Sequence, residues 1–134
     1  MTARDWIWMP HAAHFCMGDC CRFHLATYVG GVIVSTVGEC DPGESMRELE
    51  ATARGITLRG RGDARYADWL TRVGFMEIGL ERTYETMVFS AVPSTEECCP
   101  WRIDAAAERD MLGYSAADDA YRGHLAMCEK WGAV

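Results

Sequence analysis

Asparagine is absent from this sequence, and no apolar run approaches the roughly 20 residues that cross a bilayer. The lack of asparagine excludes a thiol hydrolase of the Cys-His-Asn type. The longest apolar candidate, residues 28–37, is interrupted by Gly30 and Gly31. The first residues lack the charged-then-apolar order of a secretory signal peptide. We therefore expect a protein without a membrane segment that stays in the cytoplasm.

Basic residues are also scarce. The chain has 13 Lys and Arg against 20 Asp and Glu, which gives a net charge of −7. This balance argues against direct nucleic-acid binding and suits a partner protein with a basic surface. The predicted partner-binding surface is the densest acidic region, formed by Glu39, Asp41, Glu44, Glu48 and Glu50. Acids at a helix N-terminus would explain Glu44 and Glu48 without any partner.

The 134 residues, 49% of them hydrophobic, are typical of one globular α+β domain. Two β-rich runs, 22–29 and 32–37, flank Gly30-Gly31 and predict a hairpin. A capping box begins a helix at Ser45, and Asp63 begins another. The remaining predicted strands are 6–8, 14–17, 56–58, 75–78 and 83–89.

We predict an antiparallel sheet of about four to five strands with helices on one face. Residues 1–92 form the α+β core, and residues 93–134 form a C-terminal helical segment packed on it. That segment contains a short helical stretch over 103–112 and a last helix that begins at Ser115 or Asp118. The predicted inner face of the last helix is Ala117, Tyr121, His124, Leu125 and Cys128, with Trp131 near the end.

Seven cysteines without a signal peptide argue against a disulfide framework and favour metal binding. His124 and Cys128 are four residues apart on a helix, so their side chains point the same way. Together with the thiolates of Cys98 and Cys99, which lie in a turn earlier in the chain, they would complete a structural zinc site. That site would tie the C-terminal segment to the core. The first predicted metal set is Cys98, Cys99, His124 and Cys128. The alternative is that the helix residues belong to the core.

A second predicted metal set is His14, Cys16, Cys20 and His24. If residues 14–16 and 20–24 are two arms of a hairpin, alternation places all four on one face. The alternative is a strand pair with buried thiols and hydrogen-bonded imidazoles. Four ligands in either set favour a structural zinc, because a catalytic zinc leaves one position open.

An enzyme is the alternative class, although no catalytic residues are assigned. Asp19, Cys20, Cys21 and His24 contain thiol, imidazole and carboxylate groups, but no hydrolase signature surrounds them. The run Arg-Gly-Arg-Gly-Asp-Ala at 59–64 opens a helix and predicts a phosphate site at Arg59, Arg61 and Gly62. With Leu-Thr-Arg-Val-Gly-Phe-Met-Glu-Ile-Gly at 70–79, it resembles pieces of the GNAT acetyltransferases. That resemblance implies acetyl-CoA binding; a zinc-dependent hydrolase is the other enzymatic alternative.

Three strings extend over much of the chain: Trp-Met-Pro-His at 8–11, Cys-Arg-Phe-His-Leu at 21–25 and Ile-Val-Ser-Thr-Val-Gly-Glu at 33–39. With residues 84–89 and 123–125, they resemble small bacteriophage and prophage proteins of uncharacterised activity. The resemblance implies an accessory factor that binds and modulates a host or phage protein in a bacterial cytoplasm. Inhibitors of CRISPR and other host defences are among such factors.

Overall fold

A computed structural model describes residues 5–10, 21–40, 55 and 82–132 of the chain. Within these residues, five antiparallel strands form one sheet whose neighbours follow chain order, and one helix follows the last strand. The α+β class and the antiparallel sheet of about five strands are confirmed. The elements are β1 (Ile7–Trp8), β2 (Cys21–Val29), β3 (Val32–Cys40), β4 (Tyr84–Pro93), β5 (Trp101–Tyr114) and α1 (Ala117–Gly132).

Gly30 and Gly31 join β2 to β3, as the sequence predicts. Their φ angles are +50° and +91°, a region that residues with a Cβ rarely adopt. Val29 and Val32 pair directly on either side of this two-residue turn. The turn therefore sets the register of the whole hairpin.

The central strand β3 is buried on both faces. On one face, Val34 belongs to a cluster that includes Cys128 of α1. On the other face, Ile33 packs with Met9 and Cys99. Neighbouring residues of a strand point to opposite faces, so these two clusters are separated by the sheet itself.

The prediction of a helical stretch over 103–112 is wrong, because these residues lie in β5. Ala105–Glu108 has a composition that favours a helix, but β5 pairs with β4 from Trp101 to Tyr114. Residues 104–107 are inserted opposite Ser90 alone, which interrupts the regular ladder. Such irregularities bend an edge strand and hinder its pairing with other chains. Tertiary pairing overrides local helix propensity here.

The last helix is confirmed as α1, but its buried face differs from the prediction. Ala120, His124, Met127 and Cys128 are buried. Tyr121 and Leu125, predicted to be buried, are exposed. In the described part of the chain no helix is long and apolar enough to span a membrane. The helices predicted from Ser45 and Asp63, and the strands predicted at 14–17, 56–58 and 75–78, lie outside the described residues.

Candidate functional site

A buried polar cluster, which we call the His124 cluster, joins α1 to the centre of the sheet. Its members are His124, Thr27, Thr36 and Thr86. His124 Nε2 lies 2.9 Å from the Thr27 hydroxyl, and Nδ1 lies 2.7 Å from the Thr36 hydroxyl. The Thr36 and Thr86 hydroxyls are 2.6 Å apart. One imidazole therefore connects the helix directly to β2 and β3, and through Thr36 to β4.

The imidazole of His124 is neutral at physiological pH. Its side chain is almost completely enclosed, with 2% of the residue exposed. Burial lowers the pKa of His124 to about 4, and the charge of His24 acts in the same direction. A neutral imidazole has one N–H donor and one acceptor nitrogen, which matches its two threonine partners. Both ring nitrogens are thus engaged, and neither is free to ligate a metal or move a substrate proton.

Cys128 lies one helical turn after His124 and is fully buried. Burial raises the pKa of its thiol to about 12, against the opposing effect of a hydrogen bond with Thr27. The thiol is therefore protonated at neutral pH, whereas nucleophilic attack requires the thiolate. Cys128 contributes apolar volume to the core rather than a reactive group.

The structure does not bring the first predicted metal set together. Cys99 packs against Ile33 on one face of the sheet, whereas Cys128 packs against Val34 on the opposite face. Among all described residues, no group of three or more His, Cys, Asp or Glu could hold a metal ion. The predicted zinc tie between the C-terminal segment and the core therefore has no support, because the strand alternation of β3 separates its two halves.

Of the second metal set, only His24 is described; it lies on β2 opposite Val37. Zinc binding by that set stays a prediction. Glu39 of the predicted acidic surface accepts a 2.8 Å hydrogen bond from the Tyr84 hydroxyl, so its carboxylate also has a structural role. The other residues of these predictions lie outside the described ranges: His14, Cys16, Asp19, Cys20, Asp41, Glu44, Glu48, Glu50, Arg59, Arg61 and Gly62.

Three exposed apolar side chains form a second feature, which we call the apolar rim: Trp8, Tyr121 and Leu125. They are 63%, 53% and 36% exposed, respectively. Trp8 stands opposite Thr27, the β2 residue that contacts His124. Trp8 therefore lies on the helix-bearing face, one strand spacing from the point at which α1 contacts β2.

The opposite flank of α1 is occupied by β5. Asp110 of β5 accepts hydrogen bonds from Lys130 at 2.7 Å and from the Trp131 indole at 3.1 Å. Tyr121 and Leu125 are four residues apart and project from the flank away from these contacts. Both therefore lie on the flank of α1 opposite the contact of Lys130 with β5.

Sequence reasoning missed the three threonines and the apolar rim. Thr36 follows Val32 and Val34 on one face of β3, and a buried hydroxyl there requires a partner. That signal could have identified the His124 cluster. The rim depends on where α1 sits, which periodicity alone does not give. Comparison of the chain with protein-family models, curated proteins and solved structures found no match.

Proposed function

We propose that this chain is a protein-binding module that uses the apolar rim to hold a partner with a basic surface. The carrying observation is the exposure of Trp8, Tyr121 and Leu125, with Trp8 on the face of the sheet that carries α1. Trp and Tyr are the side chains most enriched at the energetic centres of protein interfaces. Their exposed apolar surface is available for burial by another protein.

The charges next to the rim favour a basic partner. Asp118, Asp119 and Glu129 add three negative charges to α1, and all three are exposed. Arg122 and Lys130 are the basic residues of α1, which leaves the helix a net charge of −1. Arg122 is paired with Asp118 at 3.1 Å and Asp119 at 2.9 Å. The net charge of −7 for the chain has the same sign. Complementary charge would speed association and orient the partner on the apolar contact.

The buried groups support this choice over an enzyme built on α1. His124 is almost completely enclosed and uses both ring nitrogens within the fold. Cys128 is also enclosed, and its thiol is protonated. A catalytic group must reach its substrate within hydrogen-bond distance. These two side chains instead form a rigid support from which the exposed flank of α1 projects.

The resemblance to phage accessory proteins directs the choice of partner. We take the partner to be a bacterial host protein with a basic surface, of the kind that a defence inhibitor would modulate. The acidic region formed by Glu39, Asp41, Glu44, Glu48 and Glu50 stays part of the proposed partner-binding surface. A structural zinc at the second metal set stays part of the proposal; its test is metal content by mass spectrometry with and without Cys20→Ser.

A site-specific crosslinking experiment tests the rim. A photo-crosslinking phenylalanine analogue replaces Tyr121, and the protein is irradiated in a soluble lysate of the bacterial host. The matched control has the same analogue in place of Leu112, which is also exposed but lies on β5. We expect position 121, and not position 112, to capture a basic protein. About 0.5 M salt should reduce capture because it screens exposed charges beyond a few ångströms.

Two variants make the crosslinking result decisive. Trp8→Ala with Leu125→Ala should abolish capture from position 121, whereas Met111→Ala on β5 should leave it unchanged. Circular dichroism at the working temperature shows that each variant is folded. Equal adducts from positions 112 and 121, capture that survives the Trp8 and Leu125 changes, or no adduct at all would contradict the proposed function.

A further inference from the structure

Two cysteines stand directly opposite each other at the end of the β2–β3 hairpin that is remote from its glycine turn. Cys21 is the first residue of β2, Cys40 is the last residue of β3, and the strand register pairs one with the other. Both are thiols in the structure, and both are buried, with 6% and 8% of the residue exposed. The folding of the hairpin therefore places two thiols from distant parts of the sequence at facing positions of one sheet.

The turn determines what kind of pair the two cysteines form. Its two glycines have φ angles of +50° and +91°, as in a type I′ turn, which is closed by a hydrogen-bonded pair, here Val29 with Val32. Hydrogen-bonded and non-hydrogen-bonded pairs alternate along an antiparallel ladder. Cys21 lies eight residues before Val29. Cys40 lies eight residues after Val32, so the cysteine pair is of the hydrogen-bonded kind and both side chains lie on one face.

The backbone separation of this pair suits a disulfide. The Cα atoms of a hydrogen-bonded antiparallel pair are about 5.5 Å apart. Disulfides join residues whose Cα atoms are about 4.4–6.8 Å apart, with the commonest values near this separation. Glu39 has a φ of +53°, but the pair before it, Phe23 with Gly38, and the cysteine pair after it keep the same register. The two strands therefore already hold the cysteines at a distance that a disulfide can bridge.

We propose that Cys21 and Cys40 are a redox modification site, at which a low-molecular-weight disulfide such as glutathione disulfide converts the two thiols reversibly into a cross-strand disulfide. Disulfides in reducing compartments are for the most part transient and redox-sensing rather than permanent. The inference rests on the strand register and on the burial of both side chains. It is independent of the proposed protein partner.

The reaction consists of two thiol–disulfide exchanges. The thiolate of one cysteine attacks a sulfur atom of glutathione disulfide, which forms a protein–glutathione disulfide and releases one glutathione. The thiolate of the other cysteine then attacks the protein sulfur of that bond and releases the second glutathione. The two protein thiols lose two electrons and two protons, and the sulfur–sulfur bond of glutathione disulfide gains them. Glutathione disulfide is the one oxidant that the reaction requires.

The position of the pair at the end of the ladder gives the oxidant access. The register of β3 with β4 ends at Gly38 with Tyr84, so Cys40 lies beyond the part of β3 that pairs on both sides. The ends of a ladder open locally at a smaller free energy than its centre. Such an opening exposes one thiol to the first exchange. Reclosure returns it to its facing cysteine, and the second exchange proceeds at a high effective concentration.

A disulfide in the native register should stabilise the fold. It would close a loop over residues 21–40 and so restrict the unfolded chain, without a change in the pairing of the two strands. It would also restrain the segment that contains Glu39, whose carboxylate accepts the hydrogen bond from Tyr84. A bond between cysteines that do not face each other would instead distort the hairpin. The melting temperature therefore distinguishes the native pair from other pairings.

The test uses the reduced full chain, equilibrated with mixtures of glutathione and glutathione disulfide. We expect one intramolecular disulfide, seen as a mass lower by two hydrogen atoms and reversed by excess glutathione. Cleavage after Arg22 and Arg47 separates peptide 5–22, which contains Cys21, from peptide 23–47, in which Cys40 is the sole cysteine. The two peptides should be joined, and their fragmentation should locate the bond at Cys21.

Peptide 5–22 also contains Cys16 and Cys20, so variants accompany the mapping. Cys20→Ala, at the position next to Cys21, is the matched control and should keep the disulfide. Cys21→Ala should abolish it and leave only glutathione adducts. Oxidation should raise the melting temperature of the unmodified chain and of Cys20→Ala by at least about 5 °C, and that of Cys21→Ala not at all.

The outcomes that would overturn the site are equally specific. They are a bond from Cys40 to Cys16 or Cys20, glutathione adducts without a bond between the two peptides, and a disulfide located only at other cysteines. A bond between Cys21 and Cys40 that leaves the melting temperature unchanged or lowers it would also contradict the native register. If Cys21→Ala does not fold, the unmodified chain and Cys20→Ala decide the question.

Discussion

The two faces of β3 are both buried, but different chemistry buries them. On the helix-bearing face, the hydroxyl groups of Thr27 and Thr36 contact the imidazole of His124, and Thr36 also contacts the Thr86 hydroxyl. On the opposite face, Ile33 packs with Met9, Ala26 and Cys99. Apolar packing tolerates replacement by groups of similar volume. A buried hydrogen-bonded cluster is less tolerant, because the loss of one member leaves its partners unsatisfied. The helix-bearing face should therefore define the position of α1 more strictly.

Removal of the imidazole should produce the largest effect. His124→Ala deletes both hydrogen bonds, leaves Thr27 and Thr36 without this partner, and creates a cavity. We expect the free energy of unfolding to fall by about 4 kcal/mol. Urea denaturation followed by circular dichroism measures it. Leu125→Ala, at the next and partly exposed position, should cost less than about 1 kcal/mol. Equal costs at the two positions would show that the cluster has no special role.

Acid should weaken the helix-bearing face selectively. The pKa of His124 is about 4 in the folded chain, below the ordinary histidine value of 6.5, so the unfolded chain takes up the proton first. The contribution of the His124 imidazole to the free energy of unfolding is fully present above about pH 6.5. It is lost as the pH falls through about 4. From pH 7 to pH 4 the loss should be about 3 kcal/mol.

Urea midpoints measured at several pH values test this dependence. His124→Gln, which keeps a polar side chain that does not titrate, is the matched control and should flatten the profile between pH 4 and 6.5. The carboxylate of Asp110, whose pKa is lowered mainly by its hydrogen bond with Lys130, titrates below this window. An unchanged slope in His124→Gln would assign the acid sensitivity to other groups.

The smallest expected effect comes from a direct comparison of the two faces of β3, with one conservative substitution on each face. Thr36→Val preserves shape but removes the hydroxyl between His124 and Thr86, and we expect a cost of about 2 kcal/mol. Ile33→Val removes one methylene group from the apolar face and should cost about 1 kcal/mol. Calorimetric melting temperatures of the two variants measure the difference. A larger loss for Ile33→Val would reverse the comparison.

Local signals predicted the elements that local chemistry decides. Gly30-Gly31 predicts the β2–β3 hairpin because positive φ favours glycine, and the structure confirms it. The start of α1 near Asp118 follows from acidic residues that favour a helix N-terminus. The helix predicted over 103–112 is wrong, because pairing with β4 outweighs the helix propensity of its alanines. Local propensity is a weak predictor wherever a long strand partner is available.

For the candidate sites too, the sequence shows which residues are close along the chain, whereas the tertiary structure decides which of them meet. The sequence shows Cys98 and Cys99 as a consecutive pair. The sequence also contained His124 and Cys128 as a pair on one side of a helix, and both are buried there. What the sequence did not contain was the location of the two pairs on opposite faces of one sheet.

Composition and short-range pattern by themselves determined the fold class, the acidic charge, the glycine hairpin and the C-terminal helix. Each depends on properties of single residues or of residues within one or two turns of each other. Only the tertiary structure decided that residues 103–112 form a strand, that Thr27 and Thr36 bind one imidazole, and that Trp8 lies on the helix-bearing face. These outcomes depend on contacts between residues distant in the sequence, such as Thr27 and His124, which no local pattern encodes.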